Sequence, residues 1–504
     1  MQVAGVAALV AVLAIAGAVW IAVTGSRARA ELMKVRSDLN RMRQQISSGD
    51  FADAQTSGAQ AAKDAHNARG LTSGPAWWTG SKLPGVGSPL VTARGVASAA
   101  DRLATKVLPA LIRITQDLQP DRLQPSAQHV DLNALRSLNT QVSSVNDAVA
   151  QIQQQVHTLP AHTWITSIDH GRADLVGSID ALNDYLSSAG SAAAVATDLL
   201  GANGPKRYFV GFLNDAEARG LGGLPGAFGV LVAKNGRIHF THFGKDTELL
   251  NVRSGAYFGP AYEALYGGYE PTTQYLNSTA SPNFLYTAQI WAGMWLKHTG
   301  QPIDGAIAVD PTALSYLLAV TGPAHLPDGT TVSADNVVEL TQRTAYLTFG
   351  DNQSARKQFL LEIAKAAESR VFEQHKNLPA LLKAMGRAAG ERRLLVWSAD
   401  TKSQAQLERY PIAGLAAPAN VPSGRVVIND HAADKLNYYL HSSVRWERTG
   451  CSTERDVKVT ITLTNDAPAS GLPKFVTGRH PGDPHAGDSV VRLDYQATSG
   501  AVAT

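Results

Sequence analysis

Three short segments of the sequence combine acidic and basic side chains in a way that suits the binding of a phosphate or pyrophosphate group. The first, Asn214–Gly226, follows an apolar run and places Glu217 and Arg219 beside several glycines. Glycine allows positive φ and close backbone approach, and neighbouring amide groups can bind an anion. The other two segments, Lys245–Glu248 and Arg343–Lys357, add basic groups. A guanidinium group can bind two phosphate oxygens at once. The predicted phosphate-binding residues are Arg219, Lys245, Arg343 and Arg356.

Two acidic residues in these segments are the candidates for catalysis. Glu217 and Asp246 would orient the phosphates or hold a cation, and magnesium suits carboxylate oxygens. A second interpretation stays open for the first segment, namely a tight loop in which Glu217 and Arg219 form a local ion pair. Each charged segment alone is more often a solvated surface, so only their convergence in space would indicate a site.

Composition and short motifs exclude several classes of function. Lys and Arg number 45 against 42 for Asp and Glu, and the resulting charge of +3 is too balanced for a dedicated nucleic-acid-binding protein. The single cysteine, Cys451, excludes a disulfide framework and a cysteine-based zinc site. No nucleophile elbow, P-loop, zinc-protease or dinucleotide-binding motif occurs, and His480 and His485 are typical of a solvated loop. The length of 504 residues allows two to four domains.

Strands alternate with helices between residues 201 and 430, which indicates a mixed α/β sheet covered by helices. Apolar runs predict buried strands at Tyr208–Leu213 and Ala227–Ala233, and Asn235-Gly236 predicts a hairpin that leads into a strand at Ile238–Phe243. Further strands are predicted at Ala306–Val309, Leu394–Trp397 and Val426–Ile428, and helices at Phe284–His298, Thr312–Val320, Ala334–Thr344 and Ala355–Gly390.

Residues 25–200 predict a helical stalk or bundle. Its clearest helix places apolar residues three and four positions apart from Leu132 to Val156, as in a coiled-coil seam. An intramolecular bundle and a homodimer zipper both fit this seam, and the stalk could bind protein partners. Residues 431–504 return to strands, of which Val457–Leu463 alternates apolar and polar side chains. We expect these strands to form part of a β-sandwich that the chain does not complete.

Residues 1–24 predict a single membrane anchor. Val3–Val23 contains no charged residue and, at about 1.5 Å per residue, spans roughly 30 Å of bilayer hydrocarbon. A cleaved signal peptide is the alternative, but the apolar run exceeds the usual length and no basic residue precedes it. Basic residues follow the segment from Arg27 to Arg43, and the positive-inside rule then places the bulk of the chain in the cytoplasm.

Several motifs resemble those of a bacterial family known as domain of unknown function 4012, and they occur in the family's order along nearly the whole chain. Members of that family are membrane-anchored proteins, common in actinobacteria, mostly with their bulk outside the cytoplasm. The resemblance therefore implies a single-pass protein of the cell membrane with an exocytoplasmic domain, against the charge rule. The motifs are Leu199–Tyr208, Asn214–Gly226, Gly305–Pro311, Thr321–Pro323, Arg356–Phe359, Glu391–Ser398, Asn429-Asp430 and Lys435–Tyr439.

A more distant resemblance is to the LytR-CpsA-Psr phosphotransferases, which attach glycopolymers from polyprenyl-diphosphate carriers to the cell wall. Arg219, the Asn235-Gly236 turn and Gly244–Thr247 follow the order of that family's motifs. Leu221 stands where the family has a metal-binding Asp, and Lys245 where it has an arginine. The resemblance implies binding of a lipid-linked glycopolymer, with transfer as a further step that would need magnesium. The alternative is a non-catalytic envelope scaffold that keeps the fold without the metal site.

Overall fold

Two compact units make up the chain in its computed structural model. The first unit comprises Met1–Leu123 and Asn133–Ala194, and the second comprises Gln124–Leu132 and Val195–Thr504. The structure describes residues 2–48, 50–117, 129–372, 378–416, 423–450, 456–478, 487–498 and 500–502. Three residues that the sequence singled out lie outside this description, namely Cys451, His480 and His485.

The first unit is built from helices. Alanines on its second helix are fully buried, because small side chains let neighbouring helices approach closely, and Ala54, Ala61 and Ala65 all pack in this core. The helices are α1 (Gln2–Ser48), α2 (Phe51–Thr72), α3 (Pro75–Gly80), α4 (Ser88–Arg102), α5 (Leu108–Asp117), α6 (Leu132–His157) and α7 (Thr166–Leu199), with a π-helical turn at Leu103–Val107 before α5.

The predicted apolar seam of α6 is confirmed as a buried face. Val149, Ile152 and Val156 are all buried. A polar contact beside the seam joins α6 to α7, since Nε2 of Gln153 donates to Oδ1 of Asp180 at 2.8 Å. The seam therefore packs within the chain, as the intramolecular bundle predicts.

The predicted anchor lies mostly outside the described side chains. The backbone of α1 is helical from Gln2, but side chains are described only from residue 16 onward. Among the described residues, no helix has the length and apolar character needed to cross a bilayer.

A mixed sheet of five strands organises the second unit and confirms the predicted α/β architecture. Its strands are β1 (Lys206–Arg219), β2 (Gly222–Lys234), β3 (Arg237–Lys245), β4 (Gly305–Val309) and β7 (Leu394–Ser398). Their order in the sheet is β3-β2-β1-β4-β7, with β1 and β4 parallel and the other neighbours antiparallel. Asn235 and Gly236 have φ of 49° and 78°, which confirms the predicted tight hairpin between β2 and β3. Between β4 and β7 in the chain, β5 (Ala324–His325) and β6 (Thr331–Val332) form a separate two-stranded sheet.

Helices and short turns connect these strands. The predicted single helix Ala355–Gly390 is instead two helices, because Pro379 lies in the first turn of the second, where proline begins a helix rather than continuing one. The helices are α8 (Pro260–Tyr266), α9 (Phe284–Thr299), α10 (Pro311–Thr321), α11 (Val337–Glu339), α12 (Ala345–Phe349), α13 (Gln353–Val371), α14 (Leu378–Gly390), α15 (Thr401–Leu407) and α16 (Lys474–Thr477). Single 3-10 turns occur at Asp246–Leu249, Gly267–Tyr269, Tyr275–Asn277, Pro411–Ala413 and Leu436–Tyr439, and a π-helical turn at Leu340–Thr344.

An aromatic core holds α9 against the sheet. Trp291 of α9 is fully buried beside Phe209 of β1, with the ring centroids 5.3 Å apart. A Cβ on Gly211 of β1 would lie only 2.2 Å from the Trp291 ring, so this position requires glycine. Nε1 of Trp291 donates to Oγ of Ser278 at 2.8 Å, which satisfies its one polar atom. This packing fixes the middle strand, whose far end carries the candidate site.

The C-terminal segment forms two separate two-stranded sheets. The predicted strand Val426–Ile428 belongs to β8 (Gly424–Asp430), which pairs with β11 (Val491–Ala497) instead of joining the main sheet. Strands β9 (Leu440–Thr449) and β10 (Asp456–Asn465) pair with each other. The two sheets meet where Nε1 of Trp446 donates to the Tyr495 hydroxyl at 2.9 Å. The predicted C-terminal strands are therefore present, and they form these two small sheets where we expected part of a β-sandwich.

Candidate functional site

The predicted glycine-rich loop Asn214–Gly226 is a β-hairpin. Strand β1 continues to Arg219, and β2 begins at Gly222. The pairing skips three residues, 215–217, because Asn214 pairs with Leu224 and Ala218 pairs with Gly223. A bulge of this kind bends the strand and changes where its side chains point. It therefore takes Glu217 out of the regular ladder.

Backbone packing explains two glycines of this hairpin. A Cβ on Gly220 would lie 2.1 Å from the carbonyl oxygen of Ala280, and one on Gly223 would lie 2.4 Å from the carbonyl carbon of Asn214. The space beside each glycine is thus filled by the chain itself. Packing therefore explains Gly220 and Gly223 without a bound anion.

Glu217 forms ion pairs with two cations at the end of β1. Its Oε1 accepts a hydrogen bond from Nη2 of Arg219 at 2.7 Å, and its Oε2 accepts one from Nζ of Lys435. Glu217, Arg219 and Lys435 are 4%, 6% and 7% exposed, so all three charges are desolvated. Nη2 of Arg219 also donates to Oδ1 of Asn277 at 3.1 Å. The local Glu217–Arg219 ion pair, one of the two sequence interpretations, is therefore present.

Two further carboxyl groups complete this buried charge cluster, which we define as Glu217, Arg219, Asp430, Asp434 and Lys435. Oδ2 of Asp430 lies 4.0 Å from Nη1 of Arg219, and Asp434 contacts Asp430 through its side chain. Burial raises the pKa of Asp430 to about 8, and the charges of Asp434 and Glu217 add to that shift. Burial also raises the pKa of Asp434, to about 6.

One proton is enough to balance the buried charge cluster. Three carboxylates and two cations carry a net charge of −1 when all are ionised, and protonation of Asp430 brings this to zero. A divalent metal ion would instead leave an uncompensated positive charge in a desolvated place. Among the residues that the structure describes, no group of three or more acidic, histidine or cysteine side chains could hold a metal ion. The residues present therefore fit a proton better than magnesium.

An aromatic pair connects the buried charge cluster to Arg356. The rings of Tyr346 and Phe475 stack with centroids 6.1 Å apart. Cζ of Arg356 lies 3.8 Å from the Phe475 centroid, and Nζ of Lys435 lies 5.4 Å from it. Nη1 of Arg356 donates to the carbonyl oxygen of Gly350 at 2.6 Å. Arg356 is 2% exposed, so its guanidinium group already has an aromatic face and a carbonyl as partners.

Asp246 forms a salt bridge with the residue that follows Arg356 in the sequence. Its Oδ1 is 2.7 Å from Nζ of Lys357, the residue that follows Arg356 on α13. Asp246 is buried, and it also accepts a hydrogen bond from the backbone nitrogen of Thr247. The predicted catalytic carboxylate is thus held in a salt bridge with a lysine that the sequence reasoning left out of the site.

Lys245 and Arg343 lie nearer the surface than the other predicted residues. The backbone nitrogen of Lys245 donates to Oε1 of Glu248, and its side chain is partly exposed. Nη1 of Arg343 forms an exposed ion pair with Glu339 at 2.8 Å, and Nε donates to the Tyr439 hydroxyl at 3.3 Å. Contacts through Lys435 and Phe475 therefore link Glu217 and Arg219 to Arg356, whereas Asp246 pairs with the neighbouring Lys357. Lys245 and Arg343 lie nearer the surface.

A second ion-pair cluster escaped the sequence reasoning. Nη1 of Arg393 contacts Oδ2 of Asp215 at 2.7 Å and Oδ2 of Asp310 at 2.8 Å. Asp310 also caps α10 through the backbone nitrogen of Ala313. Burial raises the pKa of Asp215 to about 7, and the neighbouring Asp310 charge contributes. Only family motifs that contain these residues could have pointed to them, since 178 positions separate Asp215 from Arg393.

The position predicted to have lost a metal ligand belongs to the hydrophobic core. Leu221 is buried in the aromatic core of the sheet, and its backbone nitrogen donates to the carbonyl oxygen of Thr279 at 3.0 Å. An aspartate at this position would be buried among apolar side chains at a large desolvation cost. The core thus favours leucine here.

These features define a class of domain, a mixed α/β sheet whose middle strand ends in buried ion pairs. Comparison with known proteins matches residues 203–346 of this domain to the family described as a protein of unknown function (DUF4012). The predicted resemblance to that family is confirmed for those residues. No curated protein and no solved structure matches the chain. The more distant resemblance to the LytR-CpsA-Psr phosphotransferases stays a prediction.

Proposed function

We propose that the second unit is a non-catalytic domain of a membrane-anchored cell-envelope protein, and that it acts as a scaffold. The observation that carries this proposal is that Glu217 forms ion pairs with both Arg219 and Lys435. Arg356 and Asp246 are likewise engaged, by Phe475 and by Lys357. The cations that a diphosphate would need are therefore already bound within the domain.

The energetic comparison supports a scaffold over a diphosphate-binding site. A diphosphate that reached Arg219 would have to break its buried ion pair with Glu217, which would keep only Lys435 as a cationic partner. Breaking a buried ion pair in this way costs about 3–5 kcal/mol, whereas each new hydrogen bond to a charged group returns about 1.5–3 kcal/mol. The first roughly two new hydrogen bonds would therefore only offset that loss before any net affinity appeared.

The anchor would hold the scaffold at the membrane, and the helical unit would bind protein partners. We assign Val3–Val23 as the membrane anchor because the apolar run is long enough to span a bilayer. We place the second unit on the exocytoplasmic side because the resemblance to the domain of unknown function 4012 family implies that orientation, against the charge rule. The helices of the first unit would then offer surfaces to protein partners. Magnesium has no part in this proposal.

Binding of a lipid-linked polyprenyl-diphosphate glycopolymer is the second candidate function. It is favoured by the convergence of Glu217, Arg219 and Arg356 around the Tyr346–Phe475 pair, from segments far apart in sequence. In that case the Glu217–Lys435 contact would have to open when the ligand arrives, and the side chains at the edge, Lys245 and Arg343, would contact it first.

Titration of undecaprenyl diphosphate in detergent micelles separates the two candidates. The scaffold proposal expects no saturable binding that depends on Arg219, so the wild-type protein and the Arg219→Gln variant should give the same titration curve, with and without magnesium. Arg237→Gln is the matched control, because Arg237 is exposed on β3 and carries the same charge. Saturable binding that is lost in Arg219→Gln and kept in Arg237→Gln would overturn the scaffold proposal and support the lipid-binding one.

A further inference from the structure

Two arginines lie side by side between β7, β8 and the start of α9. Nη1 of Arg392 donates to the carbonyl oxygen of Leu415 at 2.9 Å, and Nη2 of Arg425 donates to the same oxygen at 3.1 Å. Sharing one acceptor places the two guanidinium groups next to each other. Both side chains are partly buried, so neither charge is fully screened by water.

No carboxylate compensates these two charges within the described residues. The partners of Arg392 are three carbonyl oxygens, of Pro282, Gly414 and Leu415. Nη1 of Arg425 is buried and has no hydrogen-bond partner among the described residues. Residues 417–422, which lie outside the described part and follow Leu415 in the chain, contain no acidic side chain in the sequence.

Burial and mutual repulsion both act on this arginine pair. Burial and, to a smaller extent, the adjacent Arg425 charge together lower the pKa of Arg392 to about 10. Burial also lowers the pKa of Arg425. Buried charges in proteins are normally paired. Arg219 and Arg393 of this unit pair with carboxylates, whereas the buried Arg356 has an aromatic ring and a carbonyl oxygen as partners. Arg392 and Arg425 are two adjacent cations that have no anionic partner among the described residues.

The backbone at Arg392 adopts an unusual conformation beside the N-terminus of α9. Arg392 has φ of 60°, a left-handed conformation at the end of α14 where glycine is the usual residue. Its Nη2 reaches the carbonyl oxygen of Pro282 at 2.6 Å, immediately before Asn283, which caps the N-terminus of α9. The positive end of that 16-residue helix adds to the positive potential of the two arginines.

We propose that Arg392 and Arg425 form a binding site for a phosphate group. A phosphate carries up to two negative charges, which match the two guanidinium charges, and its oxygens suit the free Nη1 of Arg425. A carboxylate monoanion would neutralise only one of the two. The carbonyl bonds of Arg392 position its guanidinium group, so Arg425 supplies the donor that is free for the ligand.

This phosphate site is separate from the buried charge cluster. Both involve β8, but Arg425 lies near its start and Asp430 at its end. At about 3.3 Å per residue, these positions are roughly 16 Å apart, more than one diphosphate can span. The phosphate site therefore does not depend on either candidate function of the cluster.

The test is calorimetric titration of inorganic phosphate into the full chain. We expect the wild-type protein to bind phosphate, and Arg425→Gln to weaken binding at this site by about tenfold or more, the loss expected for a hydrogen bond to a charged group. Arg237→Gln, which removes the same charge at the opposite edge of the sheet, should bind phosphate as the wild type does. Equal phosphate binding by the wild type and Arg425→Gln, or no binding by the wild type, would overturn the proposal.

Thermal unfolding keeps the test independent of folding defects. Without phosphate, Arg425→Gln should unfold at the same temperature as the wild type or higher, because it removes an uncompensated charge. With phosphate, the unfolding temperature of the wild type should rise more than that of the variant. An equal rise in both proteins would contradict the site.

Two further ligands define the chemistry that the site selects. Acetate should bind at least about tenfold more weakly than phosphate, since it carries one charge, and equal affinity would reject the assignment to phosphate. Methyl phosphate distinguishes the source of the group. Binding of methyl phosphate as well as phosphate assigns the site to a phosphate carried on a larger molecule, and binding of inorganic phosphate alone assigns it to the free anion.

Discussion

Lys435 donates a hydrogen bond to Glu217, although 218 residues separate the two in the sequence. This contact ties the segment that follows β8 to the end of the middle strand of the main sheet. Glu217 also binds Arg219, so one carboxylate holds cations from two distant segments. We therefore expect this contact to stabilise the domain.

The stacking of Arg356 on Phe475 should stabilise the domain. Arg356→Lys removes the planar stack and the donor to Gly350, so we expect urea unfolding to show a loss of about 2 kcal/mol. Arg387 gives a matched control, since it lies 3.8 Å from the Tyr316 ring but is exposed. Arg387→Lys should cost less than about 1 kcal/mol. Equal losses in the two variants would show that the buried stack has no special role.

The glycine at position 220 should be required for packing. Gly220→Ala forces a Cβ toward the carbonyl oxygen of Ala280, and overpacking of this kind costs about 1–3 kcal/mol. Gly226→Ala is the control, because the nearest atom to its Cβ, on Leu224, lies 4.0 Å away. Denaturant titration of both variants measures the difference. A Gly220→Ala protein as stable as Gly226→Ala would contradict the packing explanation.

Stability should fall as the pH rises from about 4 to about 8. The pKa of Asp430 is about 8 in the folded protein against 3.8 for an ordinary aspartate, and that of Asp434 is about 6. The folded state therefore binds more protons than the unfolded state in this range, and raising the pH removes them at a cost to folding. Asp215, with a pKa of about 7, acts in the same direction.

Asp430→Asn isolates the part of this pH dependence that belongs to the buried charge cluster. The variant should lose less stability than the wild type between pH 5 and pH 8, as measured by the midpoint of thermal unfolding. Asp328→Asn is the control, since the exposed Asp328 has a lowered pKa because its carboxylate accepts hydrogen bonds from Thr330. An Asp430→Asn protein with the full wild-type fall would refute the protonated carboxyl.

Residues 1–24 should retain the protein in the membrane. The full chain should resist extraction by alkaline carbonate, and a chain that lacks residues 1–24 should be released into the soluble fraction. Ser470 is exposed, so a cysteine placed there in a Cys451→Ser background reports the orientation. Labelling of intact cells by an impermeant maleimide is the expected result. Labelling only after lysis would mean that the basic residues from Arg27 to Arg43 had set the orientation.

Local patterns in the sequence were sufficient for much of the fold. The α6 seam and the Asn235-Gly236 hairpin depend on residues a few positions apart, so periodicity and turn chemistry predict them. The site was harder, because its contacts join distant segments. Neither the bulge at residues 215–217 nor the pairing of Glu217 with Lys435 has a local signal, and glycines that touch backbone look the same in a sequence as glycines that face a ligand.

A double-mutant cycle at Glu217 and Lys435 tests the central claim, that Glu217 neutralises this cation inside the domain. Glu217→Gln alone should lower the free energy of unfolding by about 3–5 kcal/mol, because it leaves two buried cations without their partner. Lys435→Met and the double variant complete the cycle, and Arg387 with Glu391, an exposed pair, provides the control. We predict a coupling energy of about 1.5–3 kcal/mol for the buried pair against less than about 1 kcal/mol for the exposed one. A coupling energy near zero for Glu217 and Lys435 would contradict the claim.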